Sequence, residues 1–497
     1  MKSLLIFCAS LVLLSFFVAC ATATSAKSAG EEPALRLGVM SDIHLTWHVD
    51  EPGSYERIQK VLEYYRDRNV DGVVIAGDIA DWGFVGQLEQ FGELWRKVFP
   101  GDRAPDGHSV ARLFIGGNHD FCGPYEPYKY KGKPIFEMKE EFIKTVGMDK
   151  AWEKAFGEKY EPVWFKEVKG YAFTGAHWGS ESKLPAFLVA NGNRIDRTKP
   201  YFHIQHPHPL GTVYPGMFPE NSWNYDHGAA MKALADFPNA IVLSGHTHLP
   251  LTDERGISQG AFTSIGTGSL SYVWHLGGRE NSKPGNDHVA QMGEINPWPW
   301  KNPDRGHHIL YFEVFGDRIE IERIEAFNLA SLGENWVVPL DFAKRPYDIS
   351  ERAMSFPPPE FPRGAKLAVS GPAKGRARNG AETMQVDVRF PSASAGKSRP
   401  YEYEVAVERR GASGWERLLA RRIFSPTYHL ALEDEAAEAN CVFAANELPA
   451  EGKCRFVVTP LSSFGTCGKS LSAPFSPSLQ GDVSARQENR KSGAMLP

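Results

Sequence analysis

The sequence is poor in cysteine and has no large excess of charge of either sign. Its 497 residues include only six cysteines, too few for a fold held together mainly by disulfides. The 55 Lys and Arg residues against 60 Asp and Glu residues leave a net charge of −5, so we expect no nucleic-acid partner. With 42% apolar residues the chain is typical of globular proteins, and its length favours two or three domains.

Apolar runs long enough to span a bilayer are also missing, and the longest run lies at the N-terminus. Lys2 precedes an apolar stretch over 4–20, and small residues follow at 21–24. This order is typical of an export signal, so we predict a signal peptide over 1–25. We expect an exported protein that is periplasmic, bound to the cell surface or secreted. The segment that ends at Cys20 resembles a bacterial lipobox, so a membrane tether through lipidated Cys20 is one alternative and plain secretion is the other.

The cysteines that remain after the signal do not define a disulfide framework. Cys122 follows a polar motif, and we interpret it as a small packed residue rather than a nucleophile. Cys441, Cys454 and Cys467 cluster near the C-terminus, where one pair could bridge adjacent strands. Which pair forms cannot be deduced from their spacing, so the pairing stays open.

Short apolar runs alternate with amphipathic helices in the first two thirds of the chain. This alternation predicts an α/β domain over 33–329, with its site on the loops at the strand ends. A proline-rich linker over 330–362, a β-sandwich with period-2 alternation over 363–480 and a disordered tail over 481–497 are expected to follow. The strands expected to carry the site are Leu35–Met40, Gly72–Ala76, Ala111–Ile115, Tyr171–Thr174, Tyr201–Gln205 and Ala240–Ser244.

Clusters of Asp, Asn and His follow five of these strands. A single Asp-x-His triplet carries no weight, but five clusters at strand ends predict a shared site. Ionisable groups that converge need neutralising partners, and cations supply them directly. Carboxylate and imidazole ligands without thiolates suit manganese, iron or zinc more than calcium. The clusters are Asp42-Ile43-His44, Gly77-Asp78, Gly117-Asn118-His119-Asp120, His206-Pro207 and Gly245-His246-Thr247-His248.

These five motifs, in this order, resemble those of the calcineurin-like metallophosphoesterase superfamily. The resemblance implies a four-layer α/β/β/α sandwich and two divalent metal ions per chain (Mn, Fe or Zn). His119 would be the catalytic histidine, with Asp120 orienting it. At the His206 position, His203 and His208 are the neighbouring alternatives. One ion would be held by Asp42, His44, Asp78 and His248, and the other by Asp78, Asn118, His206 and His246.

The same resemblance implies hydrolysis of a small phosphodiester or phosphomonoester. A metal-bridging hydroxide would attack in line, and His119 would assist the leaving group. Asp120 favours a phosphodiester or a broad phosphoester substrate, since phosphodiesterases of the cyclic-nucleotide and glycerophosphodiester type commonly have Asn-His-Asp here, whereas secreted 5′-nucleotidases usually end this motif in glutamate. Asp81 occupies the position of the tyrosine ligand in purple acid phosphatases, so we expect no tyrosine–iron site and predict a turn-stabilising role for Asp81. A secreted nuclease and a catalytically silent binding protein on the same fold are the alternative functions.

Aromatic residues in the long insertions are candidate substrate contacts, with ordinary loop packing as the alternative. Trp82, Trp223 and Tyr272 lie in these insertions. The residues that we select as substrate contacts are His177, Trp178, Tyr225 and Trp274.

The C-terminal module contains one segment, 448–465, that resembles the last strands of fibronectin type III modules. This resemblance implies a fibronectin III or Ig-like β-sandwich. Its expected roles are binding of cell-surface glycans or dimerisation, and the sequence does not choose between them.

Overall fold

The computed structural model describes most of the chain after residue 30. The described residues are 31–45, 54–121, 147–274, 278–281, 306–376, 381–393, 399–428, 430–431 and 438–476. The predicted signal peptide with Cys20, the predicted tail over 481–497 and Cys122 lie outside these residues. Contacts divide the chain into Met1–Glu32 and Pro33–Pro497. Among the described residues, helices that combine the length and the apolar character needed to cross a membrane are absent.

The elements of Pro33–Pro497 alternate between strands and helices before a run of strands. The strands of the first part are β1 (Leu35–Met40), β2 (Gly72–Ala76), β3 (Ala111–Ile115), β4 (Val163–Val168), β5 (Tyr171–Ala176), β6 (Tyr201–Ile204), β7 (Ala240–Ser244), β8 (Ile257–Gln259), β9 (Thr263–Gly266), β10 (His308–Val314), β11 (Arg318–Glu325), β12 (Ala330–Ser331) and β13 (Trp336–Pro339). The α-helices are α1 (Ser54–Asp67), α2 (Val85–Val98), α3 (Met148–Phe156), α4 (Leu184–Asn191), α5 (Ala229–Leu234) and α6 (Ile349–Ser355). The later strands are β14 (Ala368–Arg376), β15 (Glu382–Pro391), β16 (Glu402–Arg410), β17 (Trp415–Phe424), β18 (Glu438–Ala444), β19 (Cys454–Leu461) and β20 (Leu471–Phe475).

Two mixed sheets form the first part of the fold. The first has the order β12-β11-β10-β1-β2-β3, with β13 also paired to β11, and the second has the order β4-β5-β6-β7-β9-β8. Strands β1, β2 and β3 run parallel, as do β5, β6, β7 and β9. Because the carboxyl ends of parallel strands meet at one edge of a sheet, the loops that follow them are brought together.

Apolar side chains pack on both faces of each sheet. The helix α1 places Ile58, Val61, Leu62 and Tyr65 on one buried face, at the spacing that an α-helix requires. They join side chains of α2 and α3 in a cluster against the first sheet. A second cluster combines residues of both sheets, such as Val39 and Phe202, and a third packs α4 and α5 on the second sheet. The mixed α/β fold is therefore confirmed.

The segment that the sequence assigns to a linker contributes to the first sheet. Strand β13 pairs with β11, with Trp336 opposite Ile321, and β12 pairs with the other end of β11. Trp336 and Val338 are buried, so their apolar surface joins the core between the two sheets. The first domain thus extends into the predicted linker over 330–362. The apolar pattern of the sequence does not indicate this extension because β12 and β13 are short.

The C-terminal strands form two antiparallel sheets with the orders β14-β15-β18 and β17-β16-β19-β20. Their facing side chains make one apolar cluster. The module contacts the first part of the fold through the segment 278–281, where Arg279 forms an ion pair with Glu402. The Asn281 side chain donates to the Phe424 carbonyl and accepts the Phe424 N–H. Within the described residues, Cys441, Cys454 and Cys467 are free thiols, so the predicted disulfide is not present.

Candidate metal centre

The polar clusters that follow the strands come together in two groups that share Asp78. Within each group the candidate ligand atoms lie within 4.8 Å of one another. Asp78 Oδ2 is 3.6 Å from His44 Nε2 and 3.2 Å from His206 Nε2. We call the first group site 1, formed by Asp42, His44, Asp78 and His248, and the second group site 2, formed by Asp78, His206 and His246 with Asn118 beside them.

The backbone at the ligands adopts a left-handed conformation that residues other than glycine rarely adopt. Asp42, His44, Asp78, His246 and His248 all have φ between 46° and 74°. Residues in this region are uncommon and cluster where function requires them. The conformation is held by backbone bonds between loops: Asp42 N–H donates to the Gly77 carbonyl, and His44 N–H to the Asp78 carbonyl. The loops after β1 and β2 therefore fix each other.

Two glycines allow the loops to approach this closely. Gly77 has φ +99°, and a Cβ there would lie 2.2 Å from His206 Nδ1. A Cβ on Gly117 would lie 2.2 Å from Asp78 Oδ1. Any other residue at either position would displace a ligand, so the glycines in these motifs are required by packing.

Three histidines have their Nδ1 atoms tied to acceptors outside the centre. His44 Nδ1 lies 3.0 Å from Asp81 Oδ1, His206 Nδ1 lies 2.7 Å from the Ala76 carbonyl, and His248 Nδ1 lies 3.0 Å from the carbonyl of Tyr272. A carbonyl oxygen only accepts, so Nδ1 of His206 and His248 carries the hydrogen, and the Asp81 carboxylate favours the same tautomer in His44. The Nε2 lone pairs of all three rings then face inward, as metal ligation requires.

With these tautomers, hydrogen-bond acceptor atoms of neighbouring ligands face each other with no hydrogen between them. In site 1, His44 Nε2 and His248 Nε2 are 3.1 Å apart, and His248 Nε2 is 3.2 Å from Asp42 Oδ1. In site 2, His206 Nε2 lies 3.0 Å from Asn118 Oδ1 and 3.2 Å from Asp78 Oδ2. Acceptors at these distances repel unless a cation or proton lies between them. The donor set therefore fits a divalent cation at each site.

Burial and charge act in opposite directions on the ionisation of the ligands. Burial disfavours the charged form of Asp42, but attraction to His248 prevails and lowers the pKa of Asp42 to about 2. Burial likewise opposes a charge on His206, but Asp78 raises the pKa of His206 to about 9, so without a cation a proton occupies the inward Nε2 position. Burial lowers the pKa of His246 well below its usual value, so its ring is neutral. Among the described residues, His246 Nε2 has no hydrogen-bond partner.

His119 is held by Asp81 rather than by Asp120. The His119 Nδ1 atom lies 2.6 Å from the Asp81 carbonyl oxygen, and its backbone N–H donates to Asp78 Oδ1. The carboxylate of Asp120 is buried and accepts three backbone N–H groups, from Ile79, Ala80 and Gly117. The prediction that Asp120 orients His119 is therefore wrong, because this carboxylate accepts hydrogen bonds from the backbone of two loops instead. Burial, assisted by the charge of Asp78, raises the pKa of Asp120 to about 7.

Asp81 has a larger role than the turn-stabilising one that the sequence predicts. Its carboxylate positions the His44 ring and its carbonyl positions His119. Its side chain is 21% exposed, and its carboxylate also lies within reach of the imidazoles of both histidines. One residue thus orients a ligand and the candidate catalytic histidine, and no local signal in the sequence indicated this.

Two of the four selected substrate contacts belong to the core. His177 is buried, its ring centroid is 4.7 Å from Trp152 and 4.6 Å from Tyr160, and its Nδ1 accepts the Gly116 N–H. Tyr225 is buried too, and its hydroxyl donates to the carbonyl of Tyr214. Both predictions are wrong because these side chains fill the interior that the insertions create.

The other selected residues lie beside the centre. The half-buried Trp178 ring is 5.2 Å from the His246 ring and 5.8 Å from that of His206. The backbone N–H of Trp274 donates to the His248 carbonyl.

Two aromatic residues that were not selected border the ligands directly. Trp223 is 60% exposed with its ring 4.5 Å from His246, and Tyr272 is 43% exposed with its ring 4.4 Å from His248. Exposure next to a ligand would have identified them, but exposure cannot be read from a single sequence.

A known family matches the part of the chain that contains these ligands. Residues 35–250 match the family model described as calcineurin-like phosphoesterase. A dimetal phosphatase from Danio rerio is 10% identical, with a TM-score of 0.36 over 62% of this chain and 100% of the fish protein. A purple acid phosphatase from yellow lupin (Lupinus luteus) seeds is 14% identical, with a TM-score of 0.39 over 63% of this chain and 56% of the plant protein. These two similarities are too low to assign an activity. No curated protein sequence matches significantly. The match to residues 35–250 supports a calcineurin-like metallophosphoesterase domain in this part of the chain.

Proposed function

We propose that this protein is a metal-dependent phosphoric ester hydrolase that acts on a small phosphodiester or phosphomonoester. The observation that carries the proposal is the pair of donor groups that share Asp78, set at the ends of strands from both sheets. Together with the family match, these groups suggest a dimetal site. The identity of the metal is part of the proposal, with manganese, iron and zinc as the candidates.

The ligands that we assign are those whose lone pairs converge. Asp42, His44, Asp78 and His248 would hold one cation, and Asp78, Asn118, His206 and His246 the other. Two bound cations would neutralise phosphoryl oxygens and lower the pKa of a nearby water molecule. Asp78 suits a shared ligand because its Oδ2 faces His44 and His206 at once.

His119 is assigned the transfer of a proton to the leaving oxygen. Its Nδ1 hydrogen is committed to the Asp81 carbonyl, so Nε2 is the atom that gains and loses the second proton. Its ring is 4.5 Å from that of His44, centroid to centroid, which places it at the edge of site 1. A histidine at this position can protonate an alkoxide while the ligands remain in place.

Several finer features belong to the same proposal. The three apolar clusters support a four-layer α/β/β/α sandwich. The orders β14-β15-β18 and β17-β16-β19-β20 support a fibronectin III or Ig-like sandwich at the C-terminus. Export is proposed from the N-terminal sequence alone. Glycan binding or dimerisation through the C-terminal module stays a prediction, as does a tether through Cys20.

The test combines metal content with hydrolysis by the full mature chain. We expect two divalent ions per chain after loading with manganese, and metal-dependent hydrolysis of bis(p-nitrophenyl) phosphate or p-nitrophenyl phosphate. Asp78→Asn should lose both the bound ions and the hydrolytic activity, since the shared ligand loses its charge. Asp67→Asn, on the exposed surface of α1, should keep the ions and the activity. A folded protein that holds two ions and hydrolyses neither ester would contradict the proposal and favour the silent binding protein.

A further inference from the structure

We infer that Trp223 and Tyr272 form a binding site for a planar aromatic ring attached to the phosphoester, an inference that rests on the proposed function. The substrate class would then be aryl or nucleobase-bearing phosphoesters rather than phosphates of small acyclic alcohols. The two rings are absent from the ligand set, so nothing in the proposed chemistry explains them.

Trp223 presents an unusually large exposed apolar surface at site 2. Its ring meets the His246 ring edge to face, at 80° and 4.5 Å between centroids, yet 60% of the residue is exposed. An indole left in water in this way loses the stabilisation that its burial would give. A substrate ring that covers it would recover that stabilisation.

The segment that carries Trp223 is fixed by the residues after it. The Asp226 carboxylate accepts the backbone N–H groups of Leu210, Gly228 and Ala230, at distances from 2.7 to 3.0 Å. Tyr225 is buried and forms a backbone bridge with His208. The backbone that carries the exposed indole is therefore held in place by hydrogen bonds. This reduces the conformational entropy that the segment loses when the indole binds a ring.

Tyr272 borders site 1 in the same manner. Its ring is 4.4 Å from His248 and 6.1 Å from His44, and 43% of the residue is exposed. Its carbonyl accepts from His248 Nδ1, and its N–H donates to the hydroxyl of Ser269. The backbone that orients a ligand thus also positions this ring.

The two aromatic side chains flank both sites. Trp223 contacts a ligand of site 2 and Tyr272 contacts ligands of site 1. Trp178 adds a half-buried ring 5.2 Å from His246. A phosphoryl group bound at the two sites would lie beside ligands that these side chains contact. Aromatic rings that pack against aromatic side chains gain more free energy than the burial of their apolar area alone provides. Trp223 and Tyr272 would therefore favour esters that carry an aromatic ring.

The test measures binding of phosphonates, which the enzyme cannot hydrolyse. Titration calorimetry on the manganese-loaded full chain compares phenylphosphonate, cyclohexylphosphonate and methylphosphonate. Phenylphosphonate should bind about threefold to tenfold more tightly than the other two. A phosphonate linked to adenine, 9-(2-phosphonomethoxyethyl)adenine, identifies the source of the ring: tighter binding than phenylphosphonate indicates a nucleobase, and weaker binding indicates a simple aryl group.

Variants assign the preference to the two side chains. The double change Trp223→Ala and Tyr272→Ala should reduce phenylphosphonate affinity to that of methylphosphonate, and Trp223→Phe should retain most of the preference. Trp415→Ala, on a C-terminal tryptophan that is 38% exposed, is the matched control and should change nothing. Both target residues are exposed, so their truncation removes no core, and circular dichroism checks the fold.

The outcomes separate this inference from the proposed function. Equal affinities for the three phosphonates, or a preference that survives in the double variant, would overturn the aromatic site even in an active hydrolase. A clear preference in a protein that hydrolyses no ester would support the aromatic site and contradict the hydrolase.

Discussion

Removing the Asp81 carboxylate should weaken metal binding at one site only. Asp81 Oδ1 lies 3.0 Å from His44 Nδ1, and this bond fixes the tautomer and the orientation of a site 1 ligand. Partners of this kind are worth about tenfold to 100-fold in metal affinity, or roughly 1.4 to 2.7 kcal/mol. We therefore expect Asp81→Ala to weaken the affinity of site 1 by that factor, while site 2 keeps its affinity because none of its ligands contacts the Asp81 carboxylate.

A graded series separates the hydrogen bond from the charge. Asp81→Asn keeps an oxygen that can accept from His44 Nδ1 but removes the negative charge. A hydrogen bond to a charged group contributes about 1 kcal/mol more than a neutral one, so this variant should lose about fivefold in affinity. The His119 anchor is the backbone carbonyl of Asp81, so both variants should keep this hydrogen bond and retain most of kcat at saturating metal.

Competition with a chelating dye, with metal counted per chain, measures both affinities. Asp67→Ala removes the same charge from an exposed position on α1 and serves as the control. Wild-type affinity at both sites in Asp81→Ala would refute the role of the carboxylate. Equal weakening at both sites would show that Asp81 supports the whole centre rather than His44.

Two further predictions concern single histidines. His119→Ala should retain both metals but lose about 10²-fold to 10⁴-fold in kcat for alkyl esters, and much less for p-nitrophenyl esters, whose leaving groups need no proton; undiminished activity on an alkyl ester would contradict its role. Burial lowers the pKa of His177 to about 3, below its usual 6.5, so the unfolded chain takes up the proton first and stability falls as the pH drops below 6.5. Between pH 7.5 and 5.5 the wild type should lose about 1.4 kcal/mol more of its free energy of unfolding than His177→Gln. Urea titrations at the two pH values measure this difference, and parallel losses in both proteins would show that His177 is not buried in its neutral form.

The strands that carry the site could be predicted from the sequence because they are buried on both faces. β1, β2, β3 and β7 have the predicted bounds, since a mostly apolar run followed by a polar motif leaves little freedom for their ends. The candidate ligands were found by the same logic, as polar residues directly after such runs. The strands β12 and β13 were missed because two and four residues carry little pattern, and Trp336 of β13 is buried only by meeting a sheet formed by distant residues.

The environment of each aromatic side chain in the insertions could not be predicted, because it depends on how the insertion folds. His177 and Trp178 are adjacent, yet the first is buried against Trp152 and the second lies beside the centre. Trp223 and Tyr225 differ in the same way. Aromatic composition identified insertions that border the candidate centre, but the direction of each ring is decided by contacts between segments far apart in the chain.

The two aspartates at Asp81 and Asp120 show why motif position alone does not define a role. A buried carboxylate must be satisfied by the nearest donors, and for Asp120 these are three backbone N–H groups of the loops after β2 and β3. Those bonds hold Asp78 beside Asn118, so Asp120 acts on the spacing of the ligands rather than on His119. The orientation of His119 then falls to a backbone carbonyl, which any residue at position 81 would supply. Substitution at Asp81 should therefore separate metal binding from proton transfer, two properties that the motif, taken as a unit, would assign together.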